Sequence, residues 1–427
     1  MNPASADLPD PRDPVSVRRR VHAHPELGFC EIRTADLIWR TLHRLGWSVI
    51  GGRDLTDATG YPGLPAPADL EAAAAEARAA GVAPAMVDRF AGGHTALVAD
   101  LEGNRPGPRV AIRIDIDALP ITESAAPEHR PTRLGFASRS PGRMHACGHD
   151  GHVAVGLDLA ARLAADRDFP GSVRLIIQPA EEGVRGAALL TAAGVCEDVD
   201  ALIAFHLGFG TPLGHVAPAG DLLATTKFRV TFEGVAAHAG NAPQEGRHAL
   251  LAAATATVGL HGLPRFAGTA TRVNVGTMHA DGAANIVPAR AQLQAELRAG
   301  TAEVHTELDR RAREVLRAAA AMHEVDVSIE VTGSATTAVN DQPVLDALAA
   351  AAPRANLTFT GTRPLGASDD ATLLMADTQA RGGQAAYVLI GSGTYGPHHS
   401  PSFDLDESAL PAAAHLLENA IRAGITT

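Results

Sequence analysis

The feature that most constrains the fold is a series of short apolar runs, each followed by acidic or histidine side chains. Such runs of β-branched and aliphatic residues predict strands, and the stretches between them predict helices. Their alternation indicates an α/β domain with a mostly parallel sheet flanked by helices. Sheets of this kind bind their ligands at the carboxyl ends of the strands. We therefore expect one crevice formed by Asp115, Asp117, Glu181, Glu182, His206, His398 and His399.

A second pattern interrupts the first between residues 224 and 333. The elements predicted there follow the order βαββαβ, which is the ferredoxin-like arrangement. A chain of 427 residues is also long for a single core. The sequence thus predicts a catalytic domain in two parts, residues 1–223 and 334–427, with an inserted α+β domain at residues 224–333. The Pro- and Ala-rich residues 54–93, here called the insert segment, predict packed surface helices, with partner docking as the alternative.

Charge and composition exclude several classes of function. The chain has 36 Lys and Arg against 48 Asp and Glu, a net charge of −12, which argues against nucleic acid or an anionic membrane as the main partner. No run approaches a membrane span, and the first residues lack the apolar core of a signal peptide. Three scattered cysteines, Cys30, Cys147 and Cys196, imply no disulfide framework. We expect a cytoplasmic protein in which Cys147 is available as a thiolate.

Residues 144–152 concentrate metal-ligand side chains. The segment reads Met-His-Ala-Cys-Gly-His-Asp-Gly-His, and Gly148 and Gly151 permit a tight backbone path. Imidazole and thiolate suit ions such as Zn, Co or Mn, whereas Ca and Mg prefer oxygen ligands. A polar turn whose histidines cap a helix is the alternative. The whole set predicts a divalent-metal site that draws further ligands from elsewhere in the chain.

The adjacent glutamates at 181 and 182 can divide the work of hydrolysis. Glu182 can bind a metal while Glu181 remains free as a general base beside a metal-bound water. Two metals about 3.5–4 Å apart can activate this water and polarise a carbonyl. The base can then pass the proton to a leaving nitrogen, so amide hydrolysis is the natural reaction. The alternative is an acidic helix N-terminus that favours the helix dipole.

Five further residues are candidates for the same site. Asp117 can orient a histidine ligand or stabilise the base, or it can simply cap a helix. His238, in the inserted domain, can polarise the scissile carbonyl or be a polar turn residue. Asn285 can bind a substrate carboxylate or carbonyl, or form a local Asx-turn. Arg290 and Arg298 can recognise a carboxylate through a bidentate contact, or lie solvated on a strand.

Several motifs, in order over nearly the whole chain, resemble a known family. They are His24-Pro25-Glu26-Leu27, residues 113–120, 145–152, 178–182 and 285–288, and residues 399–404. The chain is similar to the amidohydrolase branch of the aminoacylase and carboxypeptidase G superfamily, which includes hippurate hydrolases and plant auxin-conjugate hydrolases. Residues 54–108, 136–138 and 224–228 most resemble the A-type chains of aminobenzoyl-glutamate hydrolases.

This resemblance implies a zinc-peptidase-like catalytic domain, an inserted lid or dimerisation domain, and two Mn²⁺ or Zn²⁺ ions per chain. The implied metal ligands are Cys147, His149, Glu182, His206 and His399, with Glu181 as the general base. It also implies that His238 stabilises the transition state, often across a dimer interface, and that Asn285 lies near the substrate. Because His398 adjoins His399, the last ligand can shift by one residue, although His399 directly precedes Ser-Pro, as the family's ligand does.

Two departures from the family pattern bear on the substrate. Ala236-Ala237-His238 and Pro243-Gln244 stand where many relatives have Gly-Gly-His and Pro-His, and Ser368-Asp369-Asp370 stands where Ser-Glu-Asp is common. We expect a small N-acyl amino acid as substrate, with p-aminobenzoyl-glutamate as the first choice. An indole-acetyl-aspartate or hippurate-type conjugate is the alternative. A homodimer, or a heterodimer with a related B chain, is expected, and a catalytically silent substrate-binding subunit is the rival interpretation.

Overall fold

The computed structural model describes residues 8–425, which divide between two compact units. The first comprises Met1–Gly220, Ala338–Leu365 and Asp370–Thr427, and the second comprises Asp221–Thr337 and Gly366–Asp369. Among residues 8–425, no helix combines the length and the apolar character needed to cross a membrane.

The first unit is an α/β fold built around one large sheet. Its helices are α1 (Pro14–His22), α2 (Ile32–Arg44), α3 (Pro67–Ala79), α4 (Pro84–Phe90), α5 (Arg130–Leu134), α6 (His149–Ala165), α7 (Gly186–Ala192), α10 (Gln342–Ala351), α11 (Ala371–Ala380) and α12 (Ala409–Ala423). Its strands are β1 (Ser48–Gly51), β2 (Leu97–Glu102), β3 (Arg105–Asp115), β4 (Pro170–Gln178), β5 (Ala201–Leu207), β6 (His215–Gly220), β11 (Thr358–Phe359), β12 (Arg363–Pro364) and β13 (Gln384–Ile390).

The sheet has the order β1-β2-β4-β3-β5-β13-β6-β11, with β12 also paired to β6. The four central strands, β4, β3, β5 and β13, run parallel to one another. Pairing is antiparallel between β1 and β2, between β2 and β4, and between β13 and β6. The predicted α/β class is therefore confirmed, and the sheet is mixed, with its parallel part in the centre. This central part aligns the carboxyl ends of four strands at one edge.

The central strands are buried because their sequences are apolar on both faces. The runs Val110–Ile114, Val173–Ile177, Ala201–Phe205 and Ala385–Ile390 lie almost entirely within the core. Strands covered on both sides by helices are expected to show such continuous apolar runs. Helix α6 packs especially closely on β3, since a Cβ atom at Gly156 would lie 2.2 Å from Ile114 Cδ1. This close packing anchors the helix that begins at His149.

The second unit is a ferredoxin-like α+β fold. It contains β7 (Ala224–Glu233), α8 (Ala249–His261), β8 (Thr271–Asp281), β9 (Arg290–Ala299), α9 (Ala302–Met322) and β10 (Asp326–Ala335). The strands form an antiparallel sheet with the order β10-β7-β9-β8, and the two helices share a separate core with it. The predicted order βαββαβ is confirmed. Strand β8 is an edge strand of this sheet.

Candidate metal centre

The segment 144–148 leads directly into α6 at the carboxyl edge of the sheet. Gly148 is the N-cap residue of α6 with φ 93°, a left-handed conformation that favours glycine, and His149 is the first helical residue. Cys147 and His149 are buried, and their ligand atoms lie within 4.8 Å of those of His206. His206 lies inside β5, where the sequence had predicted it just after its strand. The structure thus brings together a thiol and two imidazoles.

Two further groups of ligand atoms overlap the first. Cys147, Glu182 and His399 form one, and His149, Glu181 and Glu182 form the other, each within 4.8 Å. The Nε2 atom of His399 lies 3.3 Å from Glu182 Oε1. The backbone amide of His399 donates to Ala146 O at 2.8 Å, which ties its loop to the 144–148 segment. The three groups share members, so they define a single centre within the first unit.

The structure distinguishes His399 from its neighbour His398. The ring of His398 stacks on Phe209 with 4.3 Å between centroids, and it also contacts Phe403. It belongs to none of the ligand groups found among residues 8–425. His398 therefore packs as an aromatic side chain, whereas His399 points its Nε2 atom at Glu182.

Asp117 holds the loop that carries the two glutamates. We call residues 180–185 the glutamate turn. The carboxylate of Asp117 accepts the backbone amides of Glu181 and Glu182 at 3.0 and 2.9 Å. The backbone oxygen of Asp117 accepts a hydrogen bond from His149 Nδ1 at 2.9 Å, which leaves the Nε2 atom of that ring for another partner. Asp117 thus orients both a candidate ligand and the candidate base.

Asp115 and His152 form a buried pair behind the centre that the sequence did not predict. His152 Nδ1 hydrogen-bonds to the carboxylate of Asp115, and His152 Nε2 accepts the amide of Leu207 at 3.0 Å. Burial opposes the charge of Asp115, but Arg113, which donates to it at 2.5 Å, and the neighbouring histidines hold its pKa well below the ordinary value. The spacing of Asp115 from Asp117 was the available signal, but the pairing with His152 depends on α6 packing against β3.

The electrostatics of the centre favour a bound cation. Burial and the nearby carboxylate of Glu182 raise the pKa of the Cys147 thiol well above its usual range. Burial opposes the charged form of His149, but Asp115 outweighs it and raises the pKa of that imidazole. His149 Nε2 and Glu182 Oε1 are buried and have no hydrogen-bond partner among the described residues. A divalent cation would satisfy these atoms and stabilise the thiolate, and this donor set suits Zn or Mn.

A network of buried charges supports the start of α6. The guanidinium of Arg18 contacts three carboxylates, those of Asp150, Asp404 and Glu407. His22 Nδ1 lies 2.8 Å from Asp150, and its Nε2 lies 3.0 Å from Glu123. Burial disfavours the imidazolium, but these two hydrogen bonds outweigh it and raise the pKa of His22 to about 9. The network therefore fixes Asp150, which follows His149 in the chain.

The other four predicted site residues belong to the second unit. His238 pairs with Ile286 in a β-bridge, and its Nδ1 accepts the amides of Gly240 and Asn241, both at 3.1 Å. The carbonyl of Asn285 accepts the amide of Ala239 at 2.9 Å, so His238 and Asn285 lie on adjoining loops. Arg290 is exposed at the start of β9. Arg298 already donates to Glu296 at 2.9 Å, which limits its freedom to bind a carboxylate.

The comparison with protein families decides the assignment. A model described as peptidase family M20/M25/M40 matches residues 111–423. The chain belongs to this family. The motif-based resemblance is thereby confirmed, and this M20 protein is a metal-dependent amidohydrolase that uses divalent metal.

Individual relatives are similar over nearly the whole chain. The M20 protein is 43% identical over 406 residues to an indole-3-acetyl-aspartic acid hydrolase of Enterobacter agglomerans, covering 94% of this chain and 93% of that one. It is 42% identical over 405 residues to the A subunit of the p-aminobenzoyl-glutamate hydrolase of Escherichia coli (strain K12), with the same coverage.

Solved structures show the same relationship. An aminobenzoyl-glutamate utilization protein from Klebsiella pneumoniae has a TM-score of 0.81 at 37% identity, with 96% of this chain and 95% of that chain covered. A Bacillus subtilis protein described as a dinuclear metal binding peptidase from the M20 family has a TM-score of 0.66 at 26% identity, with 97% and 98% covered.

Proposed function

We propose that this M20 protein hydrolyses the amide bond between an aromatic acyl group and an acidic amino acid, with p-aminobenzoyl-glutamate as the substrate. The observation that carries this proposal is shared by two relatives of nearly equal identity. One is named for indole-3-acetyl-aspartic acid and the other for p-aminobenzoyl-glutamate, and both compounds have this composition. The relative in Haemophilus influenzae and the structural neighbour in Klebsiella pneumoniae favour the aminobenzoyl compound. Breakdown of folate fragments is the corresponding physiological role.

Indole-3-acetyl-aspartate is the second candidate, because the relative named for it is 43% identical over 94% of this chain. A hippurate-type conjugate belongs to the same chemical class. These compounds differ from p-aminobenzoyl-glutamate in the aromatic group and in the amino acid, so they test the acyl and amino acid specificity separately.

We assign the metal ligands to Cys147, His149, Glu182, His206 and His399, for two Mn²⁺ or Zn²⁺ ions. Their support is the overlap of the ligand groups and the unpartnered buried atoms of His149 and Glu182. The Bacillus subtilis neighbour, described as dinuclear, supports the number of ions. When bound, the ions would supply an activated water and polarise the scissile carbonyl. A thiol ligand requires reducing conditions, which are those of the proposed cytoplasmic location.

The side chains around this centre divide the proton transfers. Glu181 Oε2 lies 3.9 Å from His149 Nε2, so its carboxylate borders the ligand group. Glu181 takes the proton of the attacking water and delivers it to the leaving amide nitrogen. Asp117 acts through the backbone, because its carboxylate fixes the amides of both glutamates.

We assign the second unit, residues 224–333 in the sequence-based division, the role of a lid and dimerisation domain. His238 would stabilise the transition state there, and Asn285, Arg290 and Arg298 would contact the substrate. Apolar side chains are exposed on α8 and on the edge strand β8, with Val258 75% and Met278 46% exposed. The partner is a second copy or a related B chain, because the name of the Escherichia coli relative describes it as one of several subunits. The mass of the purified chain in solution distinguishes these.

The test is amide hydrolysis by the purified chain. The apo-protein is loaded with Mn²⁺ or Zn²⁺ and given p-aminobenzoyl-glutamate, indole-3-acetyl-aspartate and hippurate, and the released amino acid is measured. We expect the fastest release from p-aminobenzoyl-glutamate. Glu181→Gln should retain metal but lose turnover, and an unchanged rate would refute the role of Glu181. Metal binding without turnover of any amide would instead support the silent-chain interpretation, and turnover restored by a B chain would identify its partner.

A further inference from the structure

The glutamate turn has an unfavourable backbone conformation. Ala180 and Val184 have φ angles of 51° and 58°, and Gly183 has a φ of 95°. Left-handed conformations cost free energy in residues other than glycine, particularly in a β-branched residue such as Val184. Such a conformation persists only where its surroundings enforce it. The neighbours of the turn therefore bear directly on where its two glutamates point.

Three hydrogen bonds connect the turn to the insert segment. The hydroxyl of Tyr61 donates to the carbonyl of Arg185 at 2.8 Å. The Arg185 guanidinium donates from Nη1 to Gly63 O at 3.0 Å, and from Nε to Glu182 O at 3.1 Å. One arginine thus bridges the backbone of the insert segment and the backbone of Glu182.

Packing reinforces these hydrogen bonds. A small apolar cluster, separate from the main core, is formed by Phe29, Ala58, Ala180 and Leu189, with Tyr61 and Leu64 packed against it. The Arg185 guanidinium lies over the Phe29 ring, 5.4 Å from its centroid, which is a cation–π distance. Tyr61 meets the same ring edge-on at 5.9 Å. The insert segment and the glutamate turn therefore share one core.

We propose that Tyr61 and Arg185 are positioning residues that hold the glutamate turn in its active geometry, and that the insert segment is part of the active-site scaffold. The proposal rests on the function proposed above for Glu181 and Glu182. Their carboxylates must be placed closely for metal binding and proton transfer, and the Glu182 carbonyl is the point at which Arg185 fixes them. The loss of one hydroxyl can then alter the turn while the main core stays intact.

The test compares Tyr61→Phe and Arg185→Met with the control Arg174→Met. Arg174 also donates to a backbone carbonyl, that of Val195 at 2.9 Å, but it pairs with Asp100 and Asp198. For the two turn variants we expect kcat or metal affinity to fall about 10- to 100-fold, as for other residues that support metal ligands. The KM should change little, and hydrogen exchange at residues 181–184 should accelerate. Arg185→Lys, which retains a donor, should recover part of the loss.

Two results would overturn the proposal. One is a Tyr61→Phe variant with the parent's kcat, metal affinity and exchange rates. The other is a loss of kcat in Arg174→Met as large as that in Arg185→Met, because the effect would then reflect general destabilisation. If the parent hydrolyses none of the amides, the proposed function fails instead. Metal affinity, titrated on the apo-protein, and hydrogen exchange would still decide whether Tyr61 and Arg185 hold the turn.

Discussion

Replacing Asp117 with asparagine tests how strongly catalysis depends on the orientation of the two glutamates. The carboxylate is 1% exposed and accepts two backbone amides, at 3.0 and 2.9 Å. Asparagine keeps the shape, but one terminal atom becomes an NH₂ group, so one of the amides loses its acceptor. A hydrogen bond to a charged group contributes about 1.5–3 kcal/mol. Since about 1.4 kcal/mol is a factor of ten in rate, we expect kcat to fall about 10- to 150-fold.

The assay is the initial rate of amide hydrolysis at saturating metal, with the metal content of each variant measured in parallel. Asp166→Asn is the matched control, because Asp166 also accepts a backbone amide, that of Asp168 at 3.0 Å, on an exposed surface. The control should retain the parent rate. An Asp117→Asn variant that binds its full metal content and hydrolyses as fast as the parent would refute the orienting role of this carboxylate.

Three further predictions concern metal binding and stability. His399→Ala should lower the metal content measured by elemental analysis, whereas His398→Ala should keep it, and equal losses would contradict the assignment. The pKa of His22 is raised from 6.5 to about 9, so its contribution to stability is complete below about pH 6.5 and is lost as the pH rises through 9. Urea unfolding should show this loss in the parent but not in His22→Gln. Arg18→Met leaves three buried carboxylates without their cation and should cost about 3–5 kcal/mol in the free energy of unfolding. Arg12→Met, at a largely exposed ion pair, should cost less than about 1 kcal/mol, and similar losses would disprove the distinction.

The parts of the fold that were predictable from sequence are those in which composition determines burial. The central strands were recognisable because their apolar runs are continuous, and the inserted unit because its elements follow a known order. Strand β6 was missed because its sequence contains Pro218, which normally argues against a strand, although it pairs with Val388 in β13. Strand direction was also not readable at the sheet's flanks, because periodicity does not encode which neighbour a strand will have.

The candidate site shows the same division. Cys147, His149 and Glu182 lie in motifs whose residue types imply metal binding, and the structure places their ligand atoms in overlapping groups. The supporting contacts were not readable, because their partners are distant in sequence. Arg18 lies 386 residues from Asp404, and Tyr61 lies 124 residues from Arg185. Such pairings are products of tertiary packing, so no local pattern announces them.

The left-handed residues of the glutamate turn also affect how this enzyme can be engineered. Glycine adopts positive φ without a steric penalty, so Val184→Gly is an obvious choice in a search for heat-resistant variants. It would also enlarge the range of shapes open to the loop in solution. A screen that scored melting temperature alone would favour this exchange, and a screen for product formation would reject it.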